Sequence, residues 1–259
     1  MSDIQEPLAA LWASHDRLDA ATHALTADAV TAPSYCTDWT IAQVLSHLGS
    51  GGQLFELRLD AGLAGTEPPG QEESQKVWDV WNAMEPLEQV QDSLATDSAF
   101  LQRIDGMPPA ELDSIHMALW GMEIDAADLL RMRLSEHAIH TWDVLVMNDP
   151  SAQLPPDAAA LMVDGPGLIL RFAAKAEGEP VEADITTTDP ALHLRLSVGD
   201  AVTLGPAGSD AAPATSTVHM PAEALVRLAY GRLDPDHTPA SVTTDGVDLD
   251  RLRAVFPGL

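Results

Sequence analysis

The chain contains a single cysteine, Cys36, among its 259 residues. No disulfide can form within it, which excludes a disulfide-stapled scaffold and fits a reducing, cytoplasmic location. Basic residues are also scarce: 13 Lys and Arg stand against 40 Asp and Glu, for a formal net charge of −27. Binding to nucleic acid rests on cations that neutralise phosphates, so this balance argues against a nucleic-acid partner. It argues equally against anionic membrane surfaces. The surplus acid reads as solubilising charge. No stretch approaches the roughly 20 apolar residues that a membrane-spanning helix needs. The first residues, Met-Ser-Asp-Ile-Gln-Glu-Pro, lack a basic segment followed by an apolar one, so no secretory signal is expected. No internal repeat is visible.

What is present is an ordinary apolar fraction, 46%, enough for one large core or two small ones. Helical periodicity dominates the first 147 residues. Leu8, Leu11, Trp12, His15, Leu18, Thr22 and Leu25 share one stripe, predicting a helix over 3–25. Thr40 and Gln43 have the spacing of a capping box and open a second helix. Gly49, Gly51 and Gly52 fall inside that helix, where each costs about 1 kcal/mol relative to Ala. Such a run suggests a close helix crossing or room for a ligand. A loop is expected over 62–70, then helix over 72–104 with a break at Pro86, and a short helix over 110–119.

The region 121–147 reads as a long helix. Glu136 and His140 are at i and i+4 on it, so their side chains share a face. Asp143 lies near that face, and Leu130, Leu134, Ala138, Ile139, Trp142 and Val144 make most other sides apolar. A helix of this kind is buried. A buried carboxylate beside an imidazole needs compensation, either a bound metal or a satisfied ion pair. The spacing alone does not choose between them; a third ligand from another helix would. Asp143 can orient a histidine ligand or pair with Arg133. His137 points about 100° away from Glu136 and reads either as a support behind the ligands or as packing.

Residues 1–147 therefore read as an all-α four-helix bundle. Residues 148–157, with three prolines, read as a linker. Over 158–259 the pattern becomes mixed. A helix over 158–174, interrupted at Gly165-Pro166-Gly167, precedes short alternating segments at 181–188, 192–198, 201–204 and 215–220, expected to form an antiparallel sheet. Helices over 221–232 and 248–255 complete a smaller α+β domain.

The segment Cys36-Thr37-Asp38-Trp39-Thr40-Ile41-Ala42-Gln43-Val44-Leu45-Ser46-His47-Leu48 resembles the one that opens the second helix in the mycothiol-dependent maleylpyruvate isomerase family, a DinB-like four-helix group. Arg133-x-x-Glu136-x-x-x-His140-x-Trp142-Asp143 resembles that family's second motif. Tyr230-Gly231-Arg232 and Val255-Phe256-Pro257-Gly258 look like the end of its smaller second domain. The resemblance implies a site for zinc, or another divalent metal, made by His47, Glu136 and His140. Two imidazoles and one carboxylate suit zinc, and three protein ligands leave a position open. It also implies mycothiol as a low-molecular-weight thiol cosubstrate. Zinc lowers the pKa of a bound thiol, so the nucleophile need not come from the protein, and Cys36 is read as structural.

The implied chemistry is addition of the activated thiolate to a small electrophile. With a cis-enone acid, addition, bond rotation and elimination return the trans isomer. With an epoxide, halide or activated sugar the sulfur stays, and the enzyme is an S-transferase. The resemblance further suggests that the second domain lends an arginine, Arg232 first and Arg227 behind it, whose fork suits a substrate carboxylate. Two other readings stay open at this point: a non-catalytic binding or regulatory module with a bracing metal, and a metal-dependent hydrolase. A fourth protein ligand, such as His15 or Asp143, would favour the module.

Overall fold

The structure is a computed structural model that describes residues 4–119, 121–163, 174–208 and 213–258. The chain divides into two compact units, Met1–Ala152 and Gln153–Leu259. No helix among the described residues is long and apolar enough to cross a membrane.

The first unit contains seven helices and one hairpin among its described residues: α1 Gln5–Thr22, α2 Ala27–Val30, α3 Ile41–Ala64, α4 Gln71–Asn82, α5 Pro86–Asp105, α6 Pro109–Leu112, β1 His116–Leu119, β2 Met122–Asp125 and α7 Ala126–Leu145. The long helices α1, α3, α5 and α7 form the bundle: α3 packs on α5 and α7, and α1 on α7 and α5. Local chemistry sets their ends. The Thr40 side chain accepts from Gln43 N at 3.2 Å while Thr40 N donates to the Gln43 side chain at 2.8 Å, so the expected capping box forms. At its other end α3 stops at Gly65, which adopts a left-handed φ of 62°. Pro86 occupies the first turn of α5, which explains the break after α4. Asp125 caps α7 through Asp128 N at 2.9 Å.

The helix expected over 110–119 is largely a β-hairpin instead, and α7 begins at Ala126 rather than at 121. His116-Met117-Ala118-Leu119 alternates exposed and buried, and β1 pairs antiparallel with β2, Leu119 opposite Met122. Gly121 supplies a φ of 77° in the intervening turn. The strands are four residues each, too short for period 2 to outweigh the helical pattern that flanks them.

The glycine run in α3 makes room for side chains. A Cβ on Gly49 would lie 2.2 Å from ring carbons of Trp81, and one on Gly52 would lie 3.3 Å from the Arg133 guanidinium. Leu11, Val44, Leu45, Leu59, Phe100, Leu101, Leu130 and Leu134 are fully buried in the bundle core. Each stabilises it by about 1.5–3 kcal/mol in transfer free energy.

The second unit holds α8 Pro156–Val163, β3 Val181–Thr188, β4 His193–Val198, β5 Val202–Pro206, β6 Ser216–Pro221, α9 Ala222–Ala229, β7 Thr243–Asp245 and α10 Leu249–Val255. The part of the expected 158–174 helix beyond Val163, including the Gly-Pro-Gly interruption, lies outside the described residues up to residue 173. The sheet order is β5-β4-β3-β6-β7. It is mixed rather than antiparallel: β6 runs parallel to β3, Ile185 opposite Val218. Strand periodicity reports which side chains face the core and is blind to the direction of a neighbour. β7 escaped sequence reading because all three of its residues are exposed. The inward positions Ala183, Ile185, Leu196 and Val218 are buried, as is every residue of α9.

Candidate metal centre

Two helices bring His47, Glu136 and His140 together. His47 lies in the second turn of α3, placed there by the Thr40 cap; Glu136 and His140 project one turn apart from α7. His47 Nε2 is 3.1 Å from Glu136 Oε2, and His140 Nε2 is 3.9 Å from the same oxygen. The two imidazoles meet edge to face, their centroids 4.7 Å apart. All three donor atoms lie within 4.8 Å of one another. Donors on a tetrahedral zinc, with bonds of about 2.0–2.1 Å, stand about 3.3 Å apart, so small side-chain adjustments bring this set around one ion.

Electrostatics prepare the same donors. Burial raises the Glu136 carboxyl, but the hydrogen bond from His47 and the fields of His140, His47 and Arg133 outweigh it and bring the pKa down to about 2. The side chain is nevertheless 42% accessible, and the group is a carboxylate at neutral pH. Desolvation lowers the His140 pKa and the neighbouring His47 adds to it, against the opposing pull of Asp143. A neutral imidazole is the form that ligates metal.

Asp143 settles the alternative posed by the sequence. Its Oδ2 accepts from His140 Nδ1 at 2.8 Å, leaving His140 Nε2 toward Glu136, while Arg133 pairs with Asp97. This is the carboxylate–histidine arrangement that fixes tautomer and ring orientation in metal sites. Cys36 Sγ donates to the same Asp143 oxygen at 3.0 Å, behind His140. His15 and Asp143, considered above as a fourth ligand, do not join the set. His15 belongs to a separate buried cluster, with Nδ1 3.0 Å from Asp97 Oδ2. Asp143 meets the far nitrogen of His140.

Sequence reasoning passed over Trp39. Its indole lies 5.4 Å from the His47 ring and stacks at 6.5 Å over His140, yet it stays 38% exposed. It places an apolar ring beside both imidazoles. The signal was its position between Cys36 and the Thr40 cap, which reads equally well as a loop anchor.

The two C-terminal arginines differ. Arg227 is buried; its Nε and Nη2 make a bidentate pair with Glu223 at 2.7 and 2.9 Å, and its Nη1 donates to the His237 carbonyl at 2.8 Å. These three contacts all lie within its own unit. Arg232 is half-buried, with Nη1 donating to the Tyr230 carbonyl at 2.7 Å.

Comparison with known proteins follows the same line. A crystal structure of a mycothiol-dependent maleylpyruvate isomerase superposes with a TM-score of 0.67 at 14% identity, covering 95% of each chain. The crystal structure of a histidine-to-alanine mutant of a mycothiol-dependent maleylpyruvate isomerase gives the same values. At that identity the likeness establishes the fold, an N-terminal helical region and a small C-terminal sheet domain. No curated protein sequence matches the chain significantly. Residues 11–145, more than half of the chain and the stretch that contains every residue of the donor set, match the sequence family described as the mycothiol maleylpyruvate isomerase N-terminal domain, and the chain belongs to that family.

Proposed function

We propose that this protein is a mycothiol-dependent isomerase of the maleylpyruvate type, working with a divalent metal held by His47, Glu136 and His140. The single observation that carries the reading is the donor set itself: two imidazoles and a carboxylate on facing helices, one imidazole braced from behind by Asp143. Zinc suits such donors, and when bound it would supply the Lewis acidity that keeps a thiol ionised at neutral pH.

The remaining work falls to the chain's own residues. Glu136 stays ionised and brings negative charge to the ion, and Asp143 holds the Nδ1 proton of His140 so that Nε2 presents its lone pair. Trp39 offers an apolar surface that screens a bound thiol and its acceptor from water on the exposed side. Arg232 is assigned to the carboxylate of the electrophile, for which a guanidinium fork is the natural partner. Addition of the thiolate to a cis-enone acid, rotation about the former carbon–carbon double bond and expulsion of the thiolate would complete an isomerisation. Transfer of the thiol to an electrophile that retains it would use the same groups.

Elemental analysis of wild type and His47→Ala tests the centre: about one metal per chain, lost in the variant, is expected. Turnover of maleylpyruvate with mycothiol then tests the reaction, and a product retaining sulfur would redirect the assignment to S-transfer. Wild-type protein that binds no metal on titration would leave a partly exposed ion pair and a non-catalytic module.

A further inference from the structure

Directly beneath the donor set lies a second buried polar cluster that the reaction does not use. Arg133 on α7 is completely buried. Its Nη2 donates to Asp97 Oδ1 on α5 at 2.9 Å and to the Leu48 carbonyl on α3 at 3.0 Å. The other Asp97 oxygen receives His15 Nδ1 from α1 at 3.0 Å and His137 Nε2 from α7 at 3.1 Å. The remaining His137 nitrogen meets the Ser14 and Thr141 hydroxyls at 2.8 and 3.2 Å. Side chains from α1, α5 and α7 and a main-chain carbonyl of α3 thus converge on one ion pair.

Two features tie this cluster to the site above it. Leu48 directly follows His47, and Arg133 precedes Glu136 by three residues on one helix, so Arg133 links α3 to α7 within one turn of the donors. The sequence of α3 also makes space for it: Cβ atoms on Gly51 and Gly52 would lie 3.2 and 3.3 Å from the guanidinium nitrogens. Three glycines in four residues are unfavourable in a helix, and two of them border this one side chain. The cluster has the donor types of a metal site, but both Asp97 oxygens and the outer nitrogen of His137 are already occupied by protein groups, one of them a cation. It is therefore a clamp rather than a second metal site.

We infer that Arg133, held by Asp97, is a positioning residue that sets the spacing of α3 and α7 so that His47 meets Glu136 and His140 at metal-binding distance. The inference rests on reading those three residues as metal ligands. Residues that brace metal ligands typically change affinity by about 10–100-fold when replaced.

The test uses the full chain and cobalt(II) as probe. Arg133→Lys keeps the charge that neutralises Asp97 but replaces a planar fork with a single ammonium. Arg133→Met with Asp97→Asn removes both charges, so no buried carboxylate is left unpaired. Leu101→Ala, in the α5 core, is the control for general loss of stability. Cobalt affinity at least about tenfold weaker in both Arg133 variants, with a changed visible spectrum, is expected. The control should lower Tm while keeping wild-type affinity and spectrum. The inference is overturned if either Arg133 variant that folds binds cobalt like wild type, or if the control shifts affinity and spectrum as much. It is equally overturned if neither Arg133 variant folds, since Arg133 then serves the fold at large. Failure of wild type itself to bind cobalt or zinc would instead remove the metal-centre reading.

Discussion

Replacing Asp143 by Asn isolates the brace behind His140. The change keeps size and shape but turns an anionic acceptor into a neutral amide, at a position with no accessible side-chain surface. The His140 Nδ1 to Asp143 Oδ2 distance is 2.8 Å, the length of a charge-assisted bond, and such bonds are about twice as strong as neutral ones. With charged hydrogen bonds contributing about 1.5–3 kcal/mol, exchanging one for a neutral bond costs roughly 1–1.5 kcal/mol. Lost basicity at the opposite ring nitrogen adds to this. Zinc affinity should fall about tenfold or more, within the usual range for such braces. Competition against a chromophoric chelator measures it. Stability of the metal-free protein to urea should change by less than about 1 kcal/mol, because removing a buried carboxyl also removes its desolvation cost. A change in affinity below about threefold, or a loss of folding equal to the loss of binding, would refute the assignment of Asp143 as a brace.

Two further outcomes follow from the bundle. Gly49→Ala should destabilise it by about 1–3 kcal/mol by overpacking against Trp81, despite a gain of up to about 1 kcal/mol in helix propensity; urea unfolding should show the sign, and a stabilised variant would contradict the close approach. The His15 pKa is raised, by its hydrogen bond to Asp97 against the lowering effect of burial, with Asp97, Asp16 and Asp19 contributing their fields. Its protonated form therefore favours the fold: the contribution is complete below the unfolded value of 6.5 and disappears as pH rises through the higher folded value. The stability difference between wild type and His15→Gln should accordingly be larger at pH 6 than at pH 9 by urea titration, and a constant difference would show that His15 does not titrate with folding.

Much of the bundle was legible in the sequence. The Thr40–Gln43 cap, the proline at the start of α5 and the stripes of α1 and α3 are local signals, each carried by residues within a turn or two of one another. The meeting of Glu136 and His140 followed from helical spacing alone, and His47 entered only through family resemblance, because no spacing along the chain reports which residue of another helix will face them. The hairpin at 116–125 was hidden by its shortness, and the direction of β6 by the symmetry of strand periodicity. Tertiary structure alone decided how the polar residues divide. Asp143 and Asp97 are both buried acids; packing sent one to His140 and the other to Arg133, His15 and His137. It also decided that the glycines of α3 accommodate Trp81 and a guanidinium, and that Trp39 stands over two histidines. Local sequence fixes a helix and the face it presents. Which charged groups share that face's surroundings depends on where three other helices bring theirs, a condition spread over residues that are distant in the chain.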